Sequence, residues 1–187
     1  MNSAATILSP TEQELIAQAQ GGDRAAYGEL IRRHRKGVVN VVYRMCGDPA
    51  LAEDAAQETF IRAWEHLDSY EPRSAFRNWL YRIATNQALD QLRRDKPSVD
   101  IEKVPLRDPA RGPEGRLERS ERAETVRQAV LALPAASRTT LILREYEGLS
   151  YKEIAETLDI PIGTVMSRLN YARQRLRESL ASYMEVG

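Results

Sequence analysis

In the run 149–177, LSYKEIAETLDIPIGTVMSRLNYARQRLR, the side chains Thr164, Ser167, Asn170 and Tyr171 recur about one helical turn apart, with Met166 beside them. Hydroxyls, an amide and a phenol on one outer face of a helix can hydrogen-bond base edges in a DNA groove. Arg168, Arg173, Arg175 and Arg177 supply cations for phosphates, opposed nearby only by Glu178. A second set lies upstream. Arg82, Asn86 and Arg93 are spaced by four and seven residues, so a helix carries them on one side, with Trp79 at its edge and Tyr70 and Tyr81 close by. Cations interleaved with aromatic rings and one amide suit a strand whose bases are unstacked. A third set, Glu53, Asp54, Gln57, Glu58, Arg62 and Glu65, is mostly acidic and fits a docking face for a basic helix of a partner.

These spacings presuppose helices, and the boundary signals supply them. Ser150 precedes a helical pattern and Glu153 follows three residues later, a capping box. Pro161 biases Ile160 away from helix, so the first helix stops near Asp159. A second helix then carries Ile162, Val165, Leu169 and Ala172 on its inner side. Two short helices, a tight turn and the small Ala155 at the crossing predict a helix-turn-helix, whose second helix enters a major groove. A solvated helix in a bundle would carry similar charges; the agreement of pattern, turn and charge favours DNA.

Upstream, Thr11 starts a short helix ended by Gly21-Gly22, and Asp23 caps a longer one ending at Gly47. Asp48-Pro49 opens the acidic helix, which turns Leu51, Ala55, Ala56, Phe60, Ala63, Trp64 and Leu67 inward. After the loop 68–73, Ser74 is the expected cap of a helix burying Phe76, Leu80 and Ile83. The Pro- and Gly-rich stretch 95–116 has no periodicity and reads as a tether. Beyond it a helix runs from about Leu117 to Leu133, with Val126, Ala129, Val130 and Leu133 as its stripe, and Ser137 is the expected cap of the next. The expected fold is all-α: two small helical domains joined by a flexible linker, the C-terminal one holding the helix-turn-helix.

Composition sets bounds. The chain has 187 residues, 42% hydrophobic and 29% charged, and a formal net charge of zero. That neutrality hides a division: acids dominate from Ala52 to Glu71, and bases from Arg73 to Lys96. Two opposed surfaces suggest two partners. No apolar run reaches bilayer-spanning length and the N-terminus lacks a signal pattern, so a cytoplasmic protein with no membrane contact of its own is expected. With one cysteine, Cys46, there is no internal disulfide. His34 reads as half-buried, His66 as surface, and no positioned base or ligand set accompanies either. No catalytic residue, metal or cofactor is expected.

Two blocks, LDSYEPRSAFRNWLYRIATNQALDQLRR and ALPAASRTTLILREYEGLSYKEIAETLDIPIGTVMSRL, resemble the extracytoplasmic-function sigma factors of bacterial RNA polymerase, over about Asp23 to Leu180. The resemblance implies a stress-response initiation factor that gives core RNA polymerase its promoter specificity. It divides the chain into 1–22, a tail and short helix; 23–96, sigma region 2; 97–116, the linker; and 117–187, sigma region 4. It implies docking on the clamp coiled coil of the largest subunit through Glu53, Asp54, Gln57, Glu58, Phe60, Arg62 and Trp64. The minus-ten element would be captured as melted strand by Tyr70, Ser74, Phe76, Trp79, Arg82, Asn86 and Arg93. The minus-thirty-five element would be read as duplex by Arg144, Thr164, Met166, Ser167, Arg168, Asn170, Tyr171 and Arg173. An anti-sigma factor is the further partner it implies. The chain departs from the family pattern at Met166, Asn170 and Tyr171, where basic or aromatic residues are common, and at Asp159, where glycine is. The competing expectation is a stand-alone helix-turn-helix regulator whose N-terminal bundle senses or dimerises.

Overall fold

The computed structural model describes residues 10–94 and 113–184, with side chains over 10–94 and 121–181. The tail 1–9 and the linker expectation over 97–112 lie outside the described residues. Among the described residues eight α-helices follow in order: α1 (Glu12–Gln20), α2 (Arg24–Cys46), α3 (Pro49–Glu65), α4 (Phe76–Arg94), α5 (Pro113–Leu131), α6 (Ala135–Glu145), α7 (Tyr151–Leu158) and α8 (Ile162–Met184). A short 3₁₀ turn, Leu67–Ser69, links α3 to the loop before α4. No strand occurs among the described residues. The fold is all-α.

Local chemistry sets most of the boundaries. Thr11 and Glu14 form a capping box on α1, and Ser150 and Glu153 form another on α7. Asp23 and Asp48 accept backbone amides at the starts of α2 and α3, with Pro49 in the first turn of α3. Asp159 ends α7 in the left-handed region at φ 53°, a conformation that short polar side chains tolerate.

Three expected starts shift. α4 begins at Phe76, because the Ser74 carbonyl is taken by the Tyr70 hydroxyl at 2.8 Å and the first helical turn closes on Ala75. α5 begins at Pro113, inside the stretch assigned to the linker. α6 begins directly after Pro134, which sits at φ −52°, ψ 135° and leads the chain straight into the helix; Ser137 is a buried residue within it. Two stripe residues also move outward. Val126 is 39% exposed and Ile162 50%, and the inner face of α8 is Val165, Leu169 and Ala172.

α1–α4 bury Leu30, Val38, Val41, Val42, Met45, Phe76 and Leu80, while α5–α8 bury Val130, Leu133, Ile142, Leu143, Ile154 and Leu169. The sequence leaves these bundles independent of one another, but the structure packs them into one continuous apolar cluster. α6 lies against α2, and α7 against α4. The guanidinium of Arg138 donates to the Met45 carbonyl at the end of α2, favourable for a cation at a helix C-terminus. Arg44 stacks over the Tyr146 ring at 4.3 Å.

Gly47 sits at this junction. It ends α2 at φ 78°, and an added Cβ would stand 2.9 Å from Leu131 Cδ1. Gly47→Ala should therefore lower the unfolding free energy by about 1–2 kcal/mol in a denaturant melt, from left-handed strain and crowding against Leu131. An unchanged midpoint would contradict the tight junction.

Candidate nucleic-acid interface

The helix-turn-helix is α7, the turn 159–161, and the first half of α8. Leu149, Ile154, Val165, Leu169 and Ala172 lock the two helices together and are fully buried. That leaves Met166, Ser167, Asn170 and Tyr171 exposed on the outer face, with Thr164 and Arg168 half-buried beside them. Ser167 donates its hydroxyl to the Thr164 carbonyl at 3.0 Å, which steadies both near the helix start. Arg173 is tied to Glu145 at 2.8 Å and Arg144 to the Leu149 carbonyl at 2.8 Å, where it also lies over the Tyr151 ring. Arg173 thus braces α8 against the end of α6, and Arg144 braces the turn between α6 and α7. Exposed Ile162, missed as an outer residue, extends that face at its N-terminal end.

On α4, Arg82, Asn86 and Arg93 are all exposed on one side, as the spacing predicts. The aromatic members of the set lie deeper. Phe76 is 1% exposed and Tyr70 6%, with their rings edge-on at 5.2 Å, and half-buried Trp79 packs on both. Phe76 therefore supports the strand-facing surface from beneath. The loop 70–75 folds back over these rings because its carbonyls are held from two sides. Tyr70 donates to Ser74, and the Gln20 amide on α1 donates to the Leu67 and Tyr70 carbonyls at 3.0 and 3.1 Å. A cavity of about 580 Å³ opens between α1 and this loop, bordered by Gln13, Gln20, Arg73, Ser74 and Phe76. No spacing rule assigns α1 a part here, since the hydrogen bonds of Gln20 span 47 and 50 residues and follow no local pattern.

On α3, Asp54, Gln57 and Arg62 are exposed and Glu53 and Glu58 half-exposed. Glu53 pairs with Arg35 of α2, and Glu58 with Arg62 at 2.7 Å. Phe60 is buried and Trp64 packs on Tyr27 at 4.8 Å, so these two shape the face without forming it. Ile61, 55% exposed among the charges, belongs to it instead. Ile61 stands beside the inward residues Phe60, Ala63 and Trp64 but off their helical stripe, so periodicity gives it no role.

The C-terminal bundle meets α4 through polar side chains. Asn78 Nδ2 donates to Glu153 Oε1 at 3.1 Å, the Tyr81 hydroxyl to Glu147 Oε2 at 2.5 Å, and Arg82 lies 3.5 Å from Asp159. Hydrogen bonds from the Ser150 amide, then its hydroxyl, then Asn78 hold the Glu153 carboxyl below its ordinary range. Burial, aided by Glu147, pushes the Tyr81 phenol up. His34, half-buried, meets Glu12 at 2.7 Å, and His66 is exposed. Among the described residues no group of three or more His, Cys, Asp or Glu could hold a metal ion, and no helix is long and apolar enough to cross a membrane.

Comparison with known proteins gives the family. Residues 30–97 match Sigma-70 region 2 and residues 123–176 match Sigma-70 region 4. The chain is 37% identical to the ECF RNA polymerase sigma factor SigW of Bacillus subtilis, over 88% of this chain and 94% of that protein. It is 36% identical to the RNA polymerase sigma-H factor of Pseudomonas aeruginosa, over 90% and 93%. Among solved structures, CnrH in complex with the cytosolic domain of CnrY superposes with a TM-score of 0.69 at 28% identity, covering 91% of this chain and 97% of that one. The sigma factor RpoE bound to the anti-sigma factor NepR, from Bartonella quintana, gives 0.67 at 27%, covering 83% and 96%.

Proposed function

The chain belongs to the extracytoplasmic-function sigma factors of bacterial RNA polymerase, and from that premise we propose that it reads a promoter at two places, as strand through α4 and as duplex through α8. Sigma factors are initiation subunits that act by binding. The observation that carries the finer reading is the exposed row Arg82, Asn86 and Arg93 on α4, presented by the region 2 match while a separate helix-turn-helix occupies the region 4 match. One surface suits unstacked bases and the other a major groove.

In this reading the cavity between α1 and the loop 70–75 takes a base drawn from the stack. Extrusion costs a few kcal/mol, offset by contacts to the base and by cations along α4. Thr164, Met166, Ser167, Asn170 and Tyr171 face base edges of the minus-thirty-five element, with Arg168 near its phosphates, Arg173 bracing α8 against α6 and Arg144 bracing the α6–α7 turn. The acidic face of α3, with Ile61, docks on the clamp coiled coil of the largest polymerase subunit. Residues 23–96 and 117–187 act as the two functional modules, in the cytoplasm beside the polymerase. Because two solved neighbours are complexes, one of them with a named anti-sigma factor, an anti-sigma factor is proposed as the regulator of this chain also.

Gel shifts on promoter DNA test the reading. Core polymerase plus this chain should retain a promoter fragment at concentrations where the chain alone does not. Tight duplex retention by the free chain, unaffected by core, would instead fit a stand-alone regulator.

A further inference from the structure

One face of α1 is turned toward the loop that precedes α4. Ile16, Ala17 and Gln20 follow Gln13 by three, four and seven residues, and all four border the cavity of about 580 Å³ that Tyr70, Arg73 and Phe76 border from the loop side. Ile16 is 8% exposed, Tyr70 6% and Phe76 1%, so the floor is apolar, while the two glutamines stand at the ends of the row. An apolar pocket with a few polar groups at its rim has the form of a small-ligand site, and a planar base is such a ligand. α1 lies ahead of residues 30–97, the stretch matched to region 2.

The polar groups at the rim differ in what they offer. Gln20 Nε2 donates to the Leu67 and Tyr70 carbonyls, so its amide oxygen is the group left for a ligand. Glu12 adds a carboxylate, tied to His34 at 2.7 Å, and its charge reaches the Tyr70 phenol, which burial first and Glu12 second push up. Both are acceptors, and they favour a base bearing an exocyclic amine over one bearing a carbonyl there. Gln13 is exposed, and among the described residues its amide makes no hydrogen bond, so it keeps a donor and an acceptor side by side. Adenine is the base that matches such a pair on both free edges, N6 with N7 and N6 with N1. The Glu12 carboxylate also disfavours a phosphate inside the cavity. The strand backbone then stays outside, where the Arg73 side chain is 86% exposed and makes a surface pair with Glu71 that a phosphate can replace.

We propose that α1 is a base-reading element, in which Gln13 recognises the exocyclic amine of an adenine extruded into this cavity and Gln20 is the positioning residue that fixes the opposite wall. The proposal rests on the assignment of this cavity to an extruded base, and adds which base it takes and which residue selects it. The wall is set before the strand arrives. Gln20 holds the loop at Leu67 and Tyr70, and the Tyr70 hydroxyl holds it again at the Ser74 carbonyl, so little ordering is left for binding to offset.

The test measures the affinity of core polymerase plus this chain for fluorescent fork fragments whose non-template minus-ten strand is single, so that base pairing does not enter. An abasic site is moved through that strand one position at a time, for wild type and for Ala17→Phe, which fills the cavity from an exposed position on α1. The position whose abasic penalty disappears in Ala17→Phe is the one seated in the cavity. There adenine is set against purine, which lacks the amine. The change should cost wild type about threefold to tenfold, the worth of one net hydrogen bond. In Gln13→Leu the cost should fall to about twofold or less, whereas Gln18→Leu, on α1 away from the cavity, should keep it. Gln20→Leu should weaken the adenine fork and leave the abasic fork unchanged, a pattern that general loss of folding would not produce. An undiminished purine cost in Gln13→Leu, an equal reduction in Gln18→Leu, or no cost in wild type would each overturn the reading of the amine by α1. Matched losses on both forks in Gln20→Leu would overturn its positioning role. If Ala17→Phe altered the penalty at no position, the cavity would hold no base, and the pocket assignment itself would fall.

Discussion

Asn86→Ala should slow promoter opening by about tenfold to a hundredfold, the 1–3 kcal/mol that a bidentate amide–base contact is worth. Permanganate reactivity of unpaired thymines reports the opening, and core association is measured separately. Asn86 is exposed midway along α4, between Arg82 and Arg93 on the same side. Among the described residues its side chain makes no hydrogen bond, so truncation leaves no orphaned partner. Alanine is also the better helix former. A loss of opening could then not be laid to a damaged fold. Normal opening by Asn86→Ala would remove the base-reading role.

Ile61→Asp should weaken association with core polymerase by about tenfold or more, since it removes apolar burial and introduces a charge that docking would have to desolvate. At 55% exposure in the free chain, Ile61 adds little to folding. Charge reversal at Glu58 should act in the same direction: lysine there would face Arg62, now its ion-pair partner at 2.7 Å, and repel a basic partner helix. Glu53→Lys would also lose the pair with Arg35. Duplex binding by the helix-turn-helix should be unaffected in all three, because α8 makes no contact with α3. Competition binding to core polymerase measures the loss, and full affinity in Ile61→Asp would exclude α3 as the docking face.

Helix ends were legible in the chain wherever a short polar side chain caps its own backbone. Thr11, Asp23, Asp48, Ser150 and the left-handed Asp159 all act over a few residues, and local chemistry decides them. The rows Arg82–Asn86–Arg93 and Met166–Ser167–Asn170–Tyr171 were legible for the same reason, since helical period alone fixes which side chains share a face. Depth was harder to read. Phe76 follows the inward stripe of α4, but Tyr70 looks like a surface aromatic beside a loop, yet the loop folds back over it through hydrogen bonds from Gln20 that no spacing rule foretells. Ile162 fits the apolar stripe of α8 by number, but it falls in the first turn and stands half exposed. The seating of α7 on α4 depends on pairs such as Asn78–Glu153 and Tyr81–Glu147, 75 and 66 residues apart, and only a folded chain brings them together.

The central claim is that two helical modules read separate promoter elements while carried by polymerase. Permanganate footprinting of wild-type chain on a promoter fragment, with and without core enzyme, tests it most directly. The expected result is reactive thymines in the minus-ten element only when core and chain are both present, with the minus-thirty-five element protected as intact duplex. Protection of the duplex by the chain alone, with no thymine made reactive on adding core, would contradict it.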